Sequence, residues 1–361
     1  MKFTIDKDEI VKAISYADSV ISVKTTHNIL QNVLIEARED RVSISATDLE
    51  VGFITGIPAS VSQTGDITVV AKKLLEIIKR VPPCSLIFEL QENNNVKIYS
   101  EDKGINSEIN IHGIPRIDFP EIRKPIEEKY FEFPQLDFKK MVRKTLYAVS
   151  HEETRYYLNG TYFEKEGEYV KMVSTDSRRL AYIHKSYPLE EKDFGLIIPK
   201  KILNELLKVL CDEGNLKIAI GEKQIFFEIG EMYFVSNLLD GNFPDYKKVI
   251  PDSYETRIVL NTHELISVVD RVSPMSDFKQ QIILKLSPDE LTLYAVNPDL
   301  GEVKDKISIS YDGPEMEIGF NFKYLKDALA EIEQDEIVFD IISPNNPTVI
   351  RGIDTEDYIA I

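Results

Sequence analysis

The sequence predicts an α+β fold made of three copies of one domain, each with antiparallel strands and two helices. Three observations lead to this prediction. The chain resembles itself at a fixed offset, which indicates internal repeats. The matched segments include strands in which apolar residues alternate, and stretches in which apolar residues have helical spacing.

The first two copies are related by an offset of 128 residues, the separation of Thr47 and Thr175. At this offset "KFTIDKDEIVKAISYADSVIS" from Lys2 matches "YFEFPQLDFKKMVRKTLYAVS" from Tyr130, and apolar residues fall on apolar residues. A weaker third copy begins at Arg257 with "RIVLNTHELISVVDRVS". Proline and charged residues interrupt the pattern near "RKPIEEKY" and "KVIPDSYETR". The predicted domains are therefore 1–125, 126–252 and 253–361.

Each copy is predicted to contain the same elements in the same order: a strand, a helix, a pair of strands, a corner, further strand, a second helix and a closing hairpin. The segment "VSISATDLEVGFITGIPA" alternates as a half-buried strand does, whereas "KKLLEIIKRV" has helical spacing. The corner is Thr-Asp in the first two copies and Asn297-Pro298-Asp299 in the third. We expect Asp48 and Asp176 to close these turns by accepting hydrogen bonds from backbone amides.

The charge distribution is uneven. The formal net charge is −18 at pH 7, which argues against general affinity for nucleic acid. Three predicted helices are nevertheless net basic: "AKKLLEIIKR", "LDFKKMVRK" and "PKKILNELLK". Such helices can hold duplex DNA through contacts that do not depend on base sequence. The alternative is that these lysines only cover solvent-exposed helix faces.

Catalytic motifs are absent from the sequence. It contains no phosphate-binding loop, dinucleotide-binding glycine motif, HExxH or CxxC pair, and its five histidines lack metal-ligand spacing. We therefore expect a binding protein without a cofactor or metal. Cys84 and Cys211 are expected to be reduced. No apolar run is long enough for a membrane span or a signal peptide, so the expected location is the cytoplasm, without membrane contact.

The chain resembles the bacterial DNA polymerase III beta subunit, the replicative sliding clamp family. The matching segments occur in the family's order: "NILQNVLIEA", "ATDLEVG", "RYYLNGTYFE", "STDSRRLA", "LLDGNFPDY", "FNFKYLKDAL" and "SPNNPTVIR". The resemblance implies a head-to-tail homodimeric ring with sheets outside and helices facing the interior. It also implies a non-enzymatic processivity factor for DNA replication that encircles duplex DNA without sequence preference.

The resemblance also implies site residues. Those for DNA are Lys24, Lys72, Lys73, Arg155, Tyr156, Tyr157, Lys200 and Lys201. Those for the dimer interface are Ile109, Ile111, Val272 and Met275, with the segment at 107–114 as a strand edge. A cleft for short peptides is implied at Leu158, Thr175, Arg179, Leu180, Pro244, Val249, Phe278, Asn321, Tyr324 and Ile359. Its expected partners are the DNA polymerase III alpha subunit, the clamp loader, other polymerases and repair proteins.

Two departures from the family pattern concern the cleft. Ser177 and Arg178 stand where the family commonly has Gly-His, and the sequence ends in "DYIAI", so we expect a shorter cleft wall. Leu180→Asp, Phe278→Ala and deletion of residues 358–361 are expected to weaken peptide binding while leaving the dimer intact.

Two other functions stay open at this point. A protein-interaction scaffold built from the same repeats would use the cleft but never encircle DNA. A hydrolase using Asp48 or Asp176 would lose activity when either residue is changed to asparagine.

Overall fold

The computed structural model describes residues 1–21, 27–125 and 128–361. It divides into two compact units. The first contains Met1–Phe138 and Lys201–Leu238, and the second contains Lys139–Lys200 and Leu239–Ile361. The middle repeat therefore contributes to both units. Among the helices of the described ranges, none is both long enough and apolar enough to cross a membrane.

The elements follow the predicted order in each repeat, except that three strands follow the second helix where a closing hairpin was expected. The first repeat contains β1 (Lys2–Asp6), α1 (Lys7–Val20), β2 (Asn32–Arg38), β3 (Arg41–Thr47), β4 (Val51–Pro58), β5 (Ser60–Gln63), β6 (Gly65–Val70), α2 (Ala71–Ile78), β7 (Ser85–Leu90), β8 (Asn95–Tyr99) and β9 (Glu108–Ile114). The second contains β10 (Tyr130–Pro134), α3 (Gln135–Leu146), β11 (Gly160–Glu166), β12 (Tyr169–Thr175), β13 (Leu180–Ser186), β14 (Phe194–Pro199), α4 (Lys200–Val209), β15 (Asn215–Ile220), β16 (Gln224–Ile229) and β17 (Met232–Asn237). The third contains β18 (Thr256–Asn261), α5 (Thr262–Val272), β19 (Gln281–Ser287), β20 (Glu290–Asn297), β21 (Gly301–Ser308), β22 (Met316–Asn321), α6 (Phe322–Ala330), β23 (Glu336–Ile341), β24 (Val349–Gly352) and β25 (Tyr358–Ala360).

The repeat offset is confirmed by these bounds, because β10, β11 and β12 each begin and end 128 residues after β1, β2 and β3. Residues matched across all three copies are also buried in each copy. Ile5, Phe133 and Leu260 are at most 3% exposed, and their partners on the following helix, Ile10, Phe138 and Leu265, are fully buried. The α+β fold class is thus confirmed, while the boundaries between the repeats stay a prediction.

The sheets join neighbouring repeats. In the first unit the strand order is β10-β15-β16-β17-β4-β3-β2-β6-β9-β8-β7-β1-β5. The orders in the second unit are β14-β11-β12-β13-β25-β24-β23-β18 and β21-β20-β19-β22. The pairing of β17 with β4 joins the second repeat to the first, and the pairing of β13 with β25 joins the second to the third. In both junctions the last strand of one repeat pairs antiparallel with the strand that follows the corner of the preceding repeat.

The two Thr-Asp corners have the same hydrogen bonds. Asp48 Oδ1 accepts from the amides of Glu50 and Val51 at 3.1 and 2.9 Å. Asp176 Oδ1 accepts from the amides of Arg178 and Arg179 at 3.0 and 3.1 Å. The predicted turn-closing role of both aspartates is confirmed, so both carboxylates have a structural use.

The residue after each aspartate has a left-handed backbone. The φ angle is 78° at Leu49 and 73° at Ser177. A side chain at such an angle strains the backbone, and glycine would adopt it without this cost. The third corner is built differently: Asn297 Oδ1 accepts from the Asp299 amide at 3.0 Å, and the left-handed position is Gly301.

Candidate functional site

A cavity of about 630 Å³ lies in the second unit, where β13 and β25 meet the first turn of α6. Asn321 caps that helix by accepting from the amides of Lys323 and Tyr324. Seven of the ten predicted cleft residues line the cavity: Thr175, Arg179, Leu180, Pro244, Val249, Asn321 and Tyr324. Residues from distant parts of the sequence are thus brought together in one concave site of the size typical for ligand pockets.

Three predicted cleft residues do not line the cavity. Leu158 is 1% exposed and does not belong to the lining, so its place in the cleft stays a prediction. Phe278 is 89% exposed and lies outside the lining. Ile359 lies between Tyr358 and Ala360 on β25, and because neighbouring strand residues face opposite sides, Ala360 lines the cavity instead.

Arg179 organises one wall of the cavity. Its Nε donates to Asp176 Oδ2 at 3.0 Å, Nη1 to Asp327 Oδ2 at 2.6 Å, and Nη2 to the Tyr147 carbonyl at 2.7 Å. The guanidinium carbon lies 4.4 Å from the centre of the Tyr324 ring, a cation–π distance. This arginine therefore holds the second corner, the end of α3 and α6 in one arrangement.

The last residues of the sequence form another wall. The Leu180 amide donates to the Ile361 carbonyl at 2.9 Å, and the Ile361 amide donates back at 2.8 Å. Tyr358 and Tyr147 hydrogen-bond through their hydroxyls at 3.0 Å. Burial raises the pKa of both phenols, so both are neutral near pH 7. Ala360 and Ile361 thus supply surface on the side where we expected a shorter wall.

The predicted deletion of residues 358–361 and the Leu180→Asp substitution need correction as tests of binding alone. Tyr358 is 2% exposed and Leu180 is 3% exposed. Both changes would disturb the sheet itself, since a carboxylate or a missing strand replaces packed apolar surface.

The predicted DNA contacts of the first unit differ in how exposed their side chains are. Lys72 and Lys73 are exposed in the first turn of α2, and Lys73 Nζ lies 2.9 Å from Glu76. Lys201 differs, because its Nζ donates to the Val20 carbonyl at 2.7 Å and forms an ion pair with Asp48, whose side chain is 7% exposed. The ammonium of Lys201 is therefore engaged within the first unit, and its contact with DNA stays a prediction. Lys24 lies outside the described residues.

The Asp48–Lys201 ion pair leads to a stability prediction. We expect Asp48→Asn to lower the free energy of unfolding by about 1–2 kcal/mol, because an amide keeps one acceptor for the backbone but removes the charge that balances Lys201. Urea denaturation measures this loss. Glu50→Gln, which removes an exposed charge from the same corner, is the matched control. Equal stability of the two variants would contradict a structural role for the ion pair.

The predicted DNA contacts of the second unit lie beside the cavity corner. Arg155, Tyr156 and Tyr157 belong to a 3-10 turn at Glu153–Leu158, and Tyr156 is 51% exposed. Arg155 Nη1 donates to Ser177 Oγ at 2.7 Å. Lys200 Nζ lies 3.2 Å from His151 Nε2, and burial, followed by the charge of Arg179, lowers the pKa of Lys200.

The predicted interface residues have different surroundings. Ile109 and Ile111 are half-buried on one face of β9. That strand pairs with β8 along Glu108–His112 but with β6 only at Gly113 and Ile114, so the described partners leave one side of its first part open. Met275 is half-buried in a 3-10 turn. Val272 is fully buried on the inner face of α5, so its predicted place on a partner surface is wrong.

Three family models match the chain in succession. They describe the N-terminal, central and C-terminal domains of the DNA polymerase III beta subunit and match residues 1–123, 132–245 and 247–360. The chain belongs to the DNA polymerase III beta subunit family. Its three repeats each correspond to one domain model of this family.

Relatives named Beta sliding clamp align with this chain over its full length. The Beta sliding clamp of Bacillus subtilis (strain 168) is 31% identical over 375 residues, covering 100% of this chain and 98% of that protein. That of Pseudomonas putida is 30% identical, covering 100% and 99%. A crystal structure of the Bacillus subtilis sliding clamp matches with a TM-score of 0.94 at 30% identity, covering 100% and 97%. A sliding clamp from Bartonella birtlesii bound to griselimycin matches with a TM-score of 0.94 at 32% identity, covering 100% and 98%.

Sequence reasoning missed several cavity residues of this beta-subunit family member. Tyr147 and the segment at 344–348 line the cavity without having been assigned to it, whereas Ser177 and Arg178 line it where the sequence had already linked them to the cleft. That segment lies within the matched landmark "SPNNPTVIR", which was a usable signal. Asp327, the partner of Arg179, gave no signal, because an acidic residue on a helix can pair in many ways.

Proposed function

We propose that this chain is a non-enzymatic DNA sliding clamp: two copies form a ring that encircles duplex DNA and tethers the replicative polymerase for processive synthesis. The observation that supports this proposal most strongly is that three successive domains of the family are joined by equivalent strand pairings. A ring holds DNA by its closed shape, so it needs neither a cofactor nor tight contacts. We also propose that the clamp acts in the cytoplasm.

The equivalent junctions support closure by a second copy. Each internal junction pairs the last strand of one repeat, β17 or β25, with the strand after a corner, β4 or β13. The last strand of the first repeat, β9, and the strand after the corner of the third repeat, β21, take part in neither junction. The first part of β9 has an open side, and the described residues give β21 only β20 as a partner. Pairing β9 of one copy with β21 of the other would cover both edges and, by twofold symmetry, close the ring at two identical junctions.

The predicted DNA surface is proposed to consist of Lys72, Lys73, Arg155, Tyr156, Tyr157 and Lys200. The charged groups of the three lysines and Arg155 suit phosphates of any sequence, in agreement with binding that permits sliding. Lys201 is proposed to support this surface from inside the first unit through Asp48.

The cavity of the second unit is proposed to bind short peptide segments of the DNA polymerase III alpha subunit, the clamp loader, other polymerases and repair proteins. Leu180, Pro244 and Val249 offer apolar surface, while Arg179 and Asn321 offer polar groups that fix orientation. Griselimycin, found with clamp relatives, is a suitable probe for this cavity.

Retention on circular DNA tests the ring. The protein is loaded onto nicked circles by its clamp loader with ATP, isolated at moderately high salt, and half of the DNA is linearised. We expect retention on circles and loss from linear DNA, because a ring slides off a free end whereas electrostatic binding hardly depends on ends. Equal retention on both forms, or no retention with an active loader, would instead favour a scaffold that does not encircle DNA.

A further inference from the structure

One hydrogen bond joins the proposed peptide cavity to the proposed DNA surface. Ser177 lines the cavity, and its Oγ accepts from Arg155 Nη1 at 2.7 Å. Arg155 in turn precedes Tyr156 and Tyr157 on the exposed 3-10 turn. The two proposed sites therefore share a direct contact within the second unit.

The two ends of this contact have unusual backbone angles. Ser177 has a φ of 73°, in the left-handed region that a side chain occupies with strain. Arg155 interrupts the helical geometry of its turn with φ −121° and ψ 55°. Glycine would adopt the angle of Ser177 without strain but would lack the hydroxyl. Serine at this position thus provides an acceptor for Arg155 that glycine could not.

The equivalent corner of the first repeat provides an internal comparison. Leu49 has nearly the same φ, 78°, and the same corner hydrogen bonds, but its side chain has no hydroxyl. The left-handed backbone is therefore a property of the corner itself, whereas the contact with Arg155 belongs to the Ser177 side chain.

A second link between the two surfaces is electrostatic. Burial, and then the charge of Arg179 in the cavity wall, lowers the pKa of Lys200. Cationic groups assigned to the cavity and to DNA are thus close enough to influence each other.

We propose that Ser177 is a positioning residue that couples the two sites, so that occupation of the cavity strengthens DNA binding through release of Arg155. This inference rests on the proposed function. Without ligands, Ser177 holds the Arg155 guanidinium. A cavity ligand that takes the Ser177 hydroxyl frees Arg155 to bind a phosphate, and a phosphate that takes Arg155 frees the hydroxyl for the ligand.

The sign of the coupling follows from this exchange. Whichever ligand binds first breaks the Ser177–Arg155 hydrogen bond, and the second binds without breaking it again. Coupling between sites is reciprocal, so DNA must strengthen ligand binding by the same factor. For one exposed charge-assisted bond we expect about a fivefold effect, the lower end of typical coupling.

The test measures affinity for a fluorescently labelled short duplex by anisotropy, with and without saturating griselimycin, on the intact dimer. In the unmodified protein griselimycin is expected to lower the duplex Kd about fivefold. In Ser177→Gly the duplex Kd is expected to be low from the start and to be nearly unchanged by griselimycin. Leu49→Gly removes the same backbone strain without touching Arg155 and should respond as the unmodified protein does.

Each outcome separates this inference from the proposed function. An equal response of Ser177→Gly and the unmodified protein, or no response while griselimycin binds, would overturn the coupling and leave the clamp and its cavity standing. Failure of griselimycin to bind would contradict the cavity assignment and the coupling together. Absence of duplex binding would contradict the DNA surface. Reciprocity provides a further check, since the griselimycin Kd must fall by the same factor when duplex is present.

Discussion

Arg179→Ala is expected to abolish the shape of the cavity that we propose to bind peptides. The substitution removes three hydrogen bonds, to Asp176, Asp327 and the Tyr147 carbonyl, together with the stacking on Tyr324. Asp176 is largely buried and would lose its charged partner, whereas Asp327 is 46% exposed and would be solvated by water. We expect a loss of about 2 kcal/mol in the free energy of unfolding and at least about tenfold weaker binding of griselimycin.

Calorimetric titration with griselimycin and urea denaturation measure these two effects. Arg143→Ala is the matched control, because Arg143 is an exposed arginine that lies 3.8 Å from the Glu331 carboxylate. It should preserve both affinity and stability. Unchanged griselimycin affinity in Arg179→Ala would show that this arginine does not form the binding surface.

Deletion of residues 358–361 is expected to have the largest effect on stability. β25 lies between β13 and β24, so its removal splits the larger sheet of the second unit. Tyr358 is also among the most deeply buried large side chains and hydrogen-bonds Tyr147. Loss of a buried aromatic side chain alone costs about 3–5 kcal/mol, so we expect at least about 4 kcal/mol here.

Thermal and urea unfolding of the truncated protein test this expectation. Ile359→Ala, a change in the same strand at a half-buried position, should cost far less than the deletion. If the truncated protein kept the stability of the full sequence and lost only griselimycin binding, the strand would be a binding element and not a part of the fold.

Much of the fold was predictable because each buried position can be recognised from apolar residues in three copies of the repeat. The 128-residue offset identified the same strand and helix in each copy, and matched residues such as Ile10, Phe138 and Leu265 are all fully buried. The corner aspartates were predictable as well, because aspartate commonly closes turns through nearby amides.

The prediction failed where the role of a residue was taken from the family resemblance and the apolar spacing around that residue was not considered. Leu265, Val268 and Val272 have the spacing of one helix face, which places Val272 in the core; the resemblance placed it on a partner surface instead. Lys201 shows a second limit, because sequence gives its charge but not its partner, and Asp48 lies 153 residues away along the chain. Long-range ion pairs of this kind depend on the folded arrangement alone.

The junctions between repeats also determine how this protein can be divided for experiments. A fragment made of the middle repeat alone would keep β13 and β17 but lose β25 and β4, their partners from the other repeats. Both strands would then present unpaired backbone groups, which favour aggregation. The repeat that was duplicated in the sequence is therefore not suited to isolation, and proteins prepared for crystallisation or binding studies should retain both neighbours of the middle repeat.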